Sequence, residues 1–159
     1  MNQKIIIVDY GVGNIGSVKN ALDHLGYNPI LSKDPKEIET AETLILPGQG
    51  AFETAMSHLK EAGLINPIQA HIQEKKPFLG ICVGFQVLFE TSEEMGTHKG
   101  LGIFPGTLKK FTDPSLKIPH MGWNQLKFQK ETSYEKGLGK DPQVYFVHSY
   151  YLESTSPDI

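Results

Sequence analysis

The sequence is poor in cysteine, poor in tryptophan and without an excess of positive charge. One cysteine, Cys82, and one tryptophan, Trp123, stand among 159 residues. A single thiol excludes an internal disulfide framework and a cysteine-rich zinc site, and it suits a reducing compartment. Fifteen Lys+Arg against eighteen Asp+Glu give a formal net charge of −3. That balance lacks the basic footprint of a nucleic-acid binder. Long apolar runs are missing too: Ile5-Ile6-Ile7-Val8 is far short of the ~20 residues that a membrane helix needs. Met1 to Lys4 lead straight into that run, without the features of a secretory leader. These absences leave one cytoplasmic α/β domain as the expectation, long enough to bury a core. No nucleic acid, membrane, metal or other cofactor is called for.

Patterning orders the first half. Lys4 to Asp9 reads as a buried strand. Asn14 can cap a helix whose apolar face is Ile15, Val18, Leu22 and Leu25, with Gly26 at its C-terminal end. Pro29-Ile30-Leu31 and Thr43 to Leu46 read as two more strands. Phe52, Ala55, Met56 and Leu59 share one helical face. Leu64, Ile65, Ile68 and Ile72 predict another helix that stops before Pro77. Phe78 to Ile81 is a fourth strand, and Val83 to Glu90 has a helical pattern. Strand and helix alternating in this way predict an open, mostly parallel sheet with helices on both faces. After Thr91, glycines crowd a loop-rich stretch, and Leu108 to Phe111, Gln125 to Phe128 and Val144 to Val147 read as strands. The second half is therefore expected to be strand-rich and antiparallel.

Cys82 lies in Gly80-Ile81-Cys82-Val83-Gly84-Phe85-Gln86, where an apolar strand runs in and a helical pattern runs out. A strand-to-helix turn of this kind is a nucleophile elbow, which exposes a side chain at the carboxyl end of the sheet. The flanking glycines permit the sharp turn. Amides at the start of the following helix favour a thiolate and an oxyanion. The competing reading of a lone cysteine is a buried structural residue. Pro47-Gly48-Gln49-Gly50 closes the third strand, and its consecutive amides can face a developing oxyanion, or form an ordinary turn. At neighbouring strand ends, the two turns could share one cleft.

The cysteine motif resembles that of the class I glutamine amidotransferases, which have a flavodoxin-like α/β fold. Asp9-Tyr10-Gly11-Val12-Gly13-Asn14, Pro47 to Gly50, Pro119-His120-Met121-Gly122-Trp123-Asn124 and Phe146-Val147-His148-Ser149-Tyr150-Tyr151 narrow the likeness. Together they resemble the glutaminase subunits of imidazole glycerol phosphate synthase, in histidine biosynthesis. The resemblance implies attack of Cys82 on the amide carbon of glutamine, release of ammonia, and hydrolysis of a glutamyl thioester. It assigns oxyanion amides to Gly48, Gln49, Gly50 and Val83, and glutamine recognition to Gln86, Glu94, Ser149 and Tyr150. It implies a (β/α)₈-barrel cyclase as partner, in a heterodimer. The partner would be faced by Asn14, Pro119, His120, Met121, Trp123, Asn124, Tyr145 and His148. Trp123 is either an anchor of that interface or a core aromatic. Gln49 departs from the smaller apolar residue usual at its position.

The match fails in one place. The family supplies its base from a His-Pro-Glu run, and this sequence contains none. Of its six histidines, His24, His58 and His71 fall in helical stretches with solvent faces, and His98 in a polar loop. His120 and His148 belong to other family motifs, although His148 could be promoted to base. The simpler expectation is a single domain over residues 1–159, truncated before the catalytic His and Glu, and poorly active alone. Such truncation should expose a sheet edge and apolar surface. Three rivals remain: the glutaminase of a different synthase, such as one in surface-sugar amidation; a shortened non-catalytic assembly subunit; and a nucleotide-binding module resting on Gly11-Val12-Gly13, which lacks the third glycine of a dinucleotide fingerprint.

Overall fold

The computed structural model describes residues 4–128 and 137–153. The expectation about the chain's last residues lies outside them. The chain divides into two compact units. One runs to Lys109 and resumes at Leu152; the other is Lys110–Tyr151.

The first unit is built on a parallel sheet. Its strands are β1 (Ile5–Val8), β2 (Ile30–Ser32), β3 (Thr43–Gly48) and β4 (Phe78–Cys82), in the order β2-β1-β3-β4. All four residues of β1 are buried, as expected of a central strand covered on both faces. Alternation divides them. Ile6 and Val8 join Leu44 and Leu46 in a large core with Phe52, Ala55, Leu59, Leu64 and Ile68. Ile5, Ile7 and Ile45 face the other way, against Ile15, Val18 and Leu22. The first core is covered by α3 (Phe52–Glu61) and α4 (Ile65–Gln73), the second by α1 (Ile15–His24). Helices thus pack on both faces, as the patterning predicts.

Local signals explain most of the boundaries. The side chain of Asn14 accepts from the Ser17 N–H and caps α1. Gly26 follows at positive φ, where a left-handed residue ends a helix. Leu25, assigned to the apolar face, instead sits at the end of α1 and is exposed. A short helix that the periodicity does not reveal, α2 (Pro35–Glu39), starts at a capping Asp34 followed by Pro35. At five residues it is too short to show a helical period, and its signal is the cap.

The predicted helix from Val83 to Glu90 is corrected to a single turn, α5 (Val83–Gln86), followed by the strand β5 (Phe89–Ser92). The competitor is the segment after Lys99. The amides of Gly100, Leu101, Gly102 and Ile103 take the carbonyls of Glu90, Val87, Phe89 and Leu88. These bonds tie residues 87–90 to a neighbouring segment, and Phe89 onward takes a strand's course beside it. Gly100 permits the approach, because a Cβ there would overlap the Phe89 carbonyl. β5 lies in a second sheet, ordered β10-β7-β5-β6, with β6 (His98–Lys99), β7 (Phe104–Lys110) and β10 (Tyr150–Glu153). His98, expected in a polar loop, is part of β6. β5 pairs antiparallel with β6 and parallel with β7.

The second unit contains the antiparallel hairpin β8 (His120–Gln125) and β9 (Gln143–His148). The strand expected at Gln125 to Phe128 is therefore displaced: the paired residues end at Gln125. The register sets His120 opposite His148 and Trp123 opposite Tyr145.

Candidate active site

β4 ends at Cys82, where the backbone takes φ 54° and ψ −118° before α5 begins. A non-glycine residue at positive φ costs on the order of 1–3 kcal/mol and persists only when its surroundings over-determine it. Those surroundings are glycines. A Cβ at Gly80 would come within 2.8 Å of the Gly84 oxygen and of the Phe85 Cα. A Cβ at Gly84 would overlap the Leu46 carbonyl. The turn is thus packed against itself and against β3, with Cys82 exposed at its apex. This is the elbow read from the motif, and it excludes the buried structural cysteine. Because α5 is one turn long, the expected helix-dipole contribution shrinks to the local N–H groups of that turn.

The Pro47–Gly50 turn meets this corner. Gly48 is the register partner of Cys82 across β3 and β4. A Cβ on Gly48 would overlap the Gly84 nitrogen and lie 2.9 Å from the Val83 Cβ. Gly48 and Val83, two of the four oxyanion assignments, are therefore in direct contact. Gln49 and Gly50 follow, exposed, with Gly50 at φ 87°.

Glu94 closes the far end of the same turn. Its Oε2 accepts from the Phe52 N–H at 2.7 Å, at the first residue of α3. The residue before that helix, Ala51, has no side chain that can cap it, and Glu94 supplies the carboxylate from 42 positions away. Gln86 ends α5, one turn after Cys82, and is half-buried. Asn14 caps α1, in the turn where Gly13 packs on Pro47 and Gly48. The structure thus brings Cys82, Gly48, Gln49, Gly50, Val83 and Glu94 to one end of the parallel sheet.

Tyr10 was not singled out from the sequence. It is buried, at 4% exposure, and its hydroxyl donates to the Pro47 carbonyl at 2.8 Å. Burial, and then the charge of the nearby Cys82, push its hydroxyl up to about 12. A large aromatic with a polar tip just past a buried strand is the signal that could have found it.

Two histidines of this unit are engaged elsewhere. His58 meets the Tyr10 carbonyl through Nδ1 at 3.2 Å. His71, expected on a solvent face, is buried, with Nε2 3.0 Å from the Pro77 carbonyl. It lies on the side of α4 that also buries Pro67 and Ile68.

In the second unit, Ser149 links β9 to β10, whose first residue is Tyr150. The Ser149 carbonyl accepts from the Phe111 N–H, and the Tyr150 carbonyl from His148 Nδ1. With Nδ1 of His148 donating there, its Nε2 accepts from His120 Nδ1 at 3.0 Å. His120 Nε2 then faces the Asn124 amide. Both ring nitrogens of His148 are thereby engaged, which counts against its promotion to base. The other face of the hairpin is apolar and open: Met121, Trp123, Tyr145 and Val147 are 59, 68, 53 and 57% exposed. Trp123 and Tyr145 meet edge to face, so Trp123 is not a core aromatic. Pro119 is also exposed, just before β8.

The family model described as "Glutamine amidotransferase class-I" matches residues 6–159. The chain belongs to the class I glutamine amidotransferases. It is 48% identical over 158 residues to the imidazole glycerol phosphate synthase subunit HisH of Synechococcus elongatus, covering 98% of this chain and 72% of that one. It is 49% identical over 157 residues to the HisH subunit of Thermosynechococcus vestitus (98% and 75%). For the HisH subunit of Syntrophotalea carbinolica the figures are 44% over 154 residues (93% and 75%). Among solved structures, a glutamine amidotransferase superposes with a TM-score of 0.73 at 18% identity, covering 96% of this chain and 75% of its own. At that identity the likeness bears on the fold alone, and it agrees with the α/β architecture of this amidotransferase.

Proposed function

We propose that this amidotransferase is the glutaminase subunit of imidazole glycerol phosphate synthase. It hydrolyses glutamine to glutamate and ammonia and passes the ammonia to a cyclase subunit in histidine biosynthesis. The observation that carries the reading is the strained, exposed Cys82 packed on the Gly48 turn. The Cys82 thiolate attacks the amide carbon of glutamine, and the carbonyl electrons move to oxygen. Backbone N–H groups of the Gly48–Gly50 turn and of Val83 receive that oxyanion. Its collapse breaks the C–N bond, the nitrogen takes a proton and leaves as ammonia, and a glutamyl thioester remains. Water then releases glutamate and restores the thiol. Glu94 would pair with the substrate's α-ammonium, with Gln86, Ser149 and Tyr150 completing recognition.

The base that serves both steps is assigned to a His and a Glu outside these 159 residues. The sequence has no His-Pro-Glu run, and the matched relatives are longer than the matched region. The 159 residues are read as one amidotransferase domain. The exposed hairpin stripe of Met121, Trp123, Tyr145 and Val147 suits a protein partner, which we take to be a (β/α)₈-barrel cyclase in a cytoplasmic heterodimer. Its products would be imidazole glycerol phosphate and an aminoimidazole carboxamide ribotide. A shortened, non-catalytic subunit is less well supported, because a chain without turnover would have no use for a strained cysteine at the apex of the turn.

Ammonia release from glutamine tests the function. The bare chain is expected to be slow, and the complete subunit with cyclase and its nucleotide ligand fast. Equal rates with and without the cyclase would overturn the partner assignment. Co-purification with a different synthase would favour the surface-sugar alternative.

A further inference from the structure

The Pro47 carbonyl presents a local problem. β3 lies between β1 and β4, but the β1–β3 ladder runs only through Ile5↔Thr43, Ile6↔Leu44 and Ile7↔Ile45. Past the end of β1, the Asp9 N–H turns to the β2 side and is given to the Ser32 carbonyl at 2.8 Å. Pro47 is buried, and a buried carbonyl without a donor is costly. The Tyr10 hydroxyl fills the vacancy at 2.8 Å.

That bond has a consequence across the peptide. The Pro47–Gly48 unit is planar and trans, so its C=O and N–H point in opposite directions. A carbonyl held toward Tyr10, on the β1 side, sends the Gly48 N–H toward β4. There it enters the ladder with β4, whose register runs through Pro47↔Ile81 and Gly48↔Cys82 and so sets where the Gln49–Gly50 turn begins beside Cys82. Two further contacts keep the hydroxyl in place. His58 Nδ1 meets the Tyr10 backbone carbonyl, and the Asp9 carboxylate accepts from the Gly11 N–H, so the chain on either side of the ring is tied.

We propose that Tyr10 is a positioning residue for thioester formation: its hydroxyl fixes the Pro47–Gly48 peptide and thereby the backbone donors beside Cys82. The proposal rests on the reading of Cys82 as the nucleophile that forms a glutamyl thioester. Tyr10 touches neither the substrate nor the sulfur in this scheme. It acts through one peptide plane, and its removal should affect only steps in which a carbonyl oxygen gains charge.

Two reactions of Cys82 separate this role from a merely structural one. Alkylation by iodoacetamide develops no oxyanion; acylation by the γ-p-nitrophenyl ester of glutamate does. Both are read as mass increments on the intact chain, which has one thiol. In Tyr10→Phe, the acylation rate is expected to fall roughly 10- to 100-fold, less than the roughly 100- to 1000-fold lost when an oxyanion donor is itself removed. The alkylation rate should stay within about twofold, since it needs no such donor. Tyr10→His, which keeps a ring N–H near the same carbonyl, is expected to fall between the parent and Tyr10→Phe; it also serves if Tyr10→Phe does not fold. Equal losses in both reactions, no loss in either, or a folded His variant no faster than the Phe variant would overturn the proposal. Absence of any acyl adduct in the parent chain would be a separate failure, that of the thioester reading itself.

Discussion

The corner at Cys82 and the β8–β9 hairpin are opposite solutions to the placement of functional side chains. At the corner, atoms are packed until only glycine fits at positions 80, 84 and 48, and one cysteine is held in a costly conformation. On the hairpin, four large apolar side chains point into open space from a regular ladder, with no strain at any of the four. Chemistry needs a donor, a nucleophile and a substrate carbon held to fractions of an ångström, so the first region is over-determined. Recognition of a protein partner needs area and anchors, so the second is left unsatisfied. Substitutions should therefore damage stability at the first and association at the second.

The strongest challenge to that contrast is Gly84→Ala. Its methyl group would collide with the Leu46 carbonyl, and backbone must move to make room. The expected cost is about 3 kcal/mol or more, read as a fall in the denaturation midpoint, together with loss of Cys82 acylation. A Gly84→Ala chain of parental stability would mean that the corner is not packed as described.

Trp123→Ala should do the reverse. The residue is 68% exposed, so chain stability should change by no more than roughly 0.5 kcal/mol. Affinity for the cyclase should drop by about 2 kcal/mol or more, the usual size for an aromatic anchor. Titration calorimetry and a thermal melt on the same sample would decide it; a large stability loss with unchanged affinity would make Trp123 part of the fold rather than of an interface.

The buried Tyr10 gives the corner a pH signature. Its folded-state hydroxyl titrates near 12, above the ordinary value of 10.0. Between those values the unfolded chain ionises first, so the contribution is present in full below pH 10 and is lost as pH rises toward about 12. The loss should be on the order of 2 kcal/mol, and Tyr10→Phe should not show it. An alkaline stability profile identical in both chains would remove the burial argument.

The smallest effect has the opposite sign. Cys82→Gly replaces a strained residue by the one that tolerates positive φ, and should stabilise the chain by about 1 kcal/mol while ending acylation. A destabilised glycine variant would show that the sulfur contributes packing that outweighs the strain.

How far the sequence reveals this design follows from how local each signal is. The β-branched Ile5–Val8 run, the Asn14 cap, the apolar faces of α1, α3 and α4 and the glycine-flanked cysteine are written in consecutive or periodic residues, and each is found in the structure. The misread elements depend on distant partners. α5 gives way after one turn to a segment, residues 87–90, that bonds to residues 100–103. His71 is buried where the Pro77 carbonyl, at the entrance to β4, meets its ring, a contact that helical periodicity does not encode. The Glu94 cap on α3 and the Tyr10 bond to Pro47 span 42 and 37 positions. The site's nucleophile is therefore legible and much of its support is not.

The most direct test of the central claim is the intact mass of the complete subunit, with its cyclase, after exposure to a chloroketone analogue of glutamine, run beside Cys82→Ala. The account predicts one adduct per chain, blocked by excess glutamine and absent in the alanine variant. An unmodified parent chain, or an adduct that persists without the thiol, would contradict the assignment of Cys82 as the nucleophile.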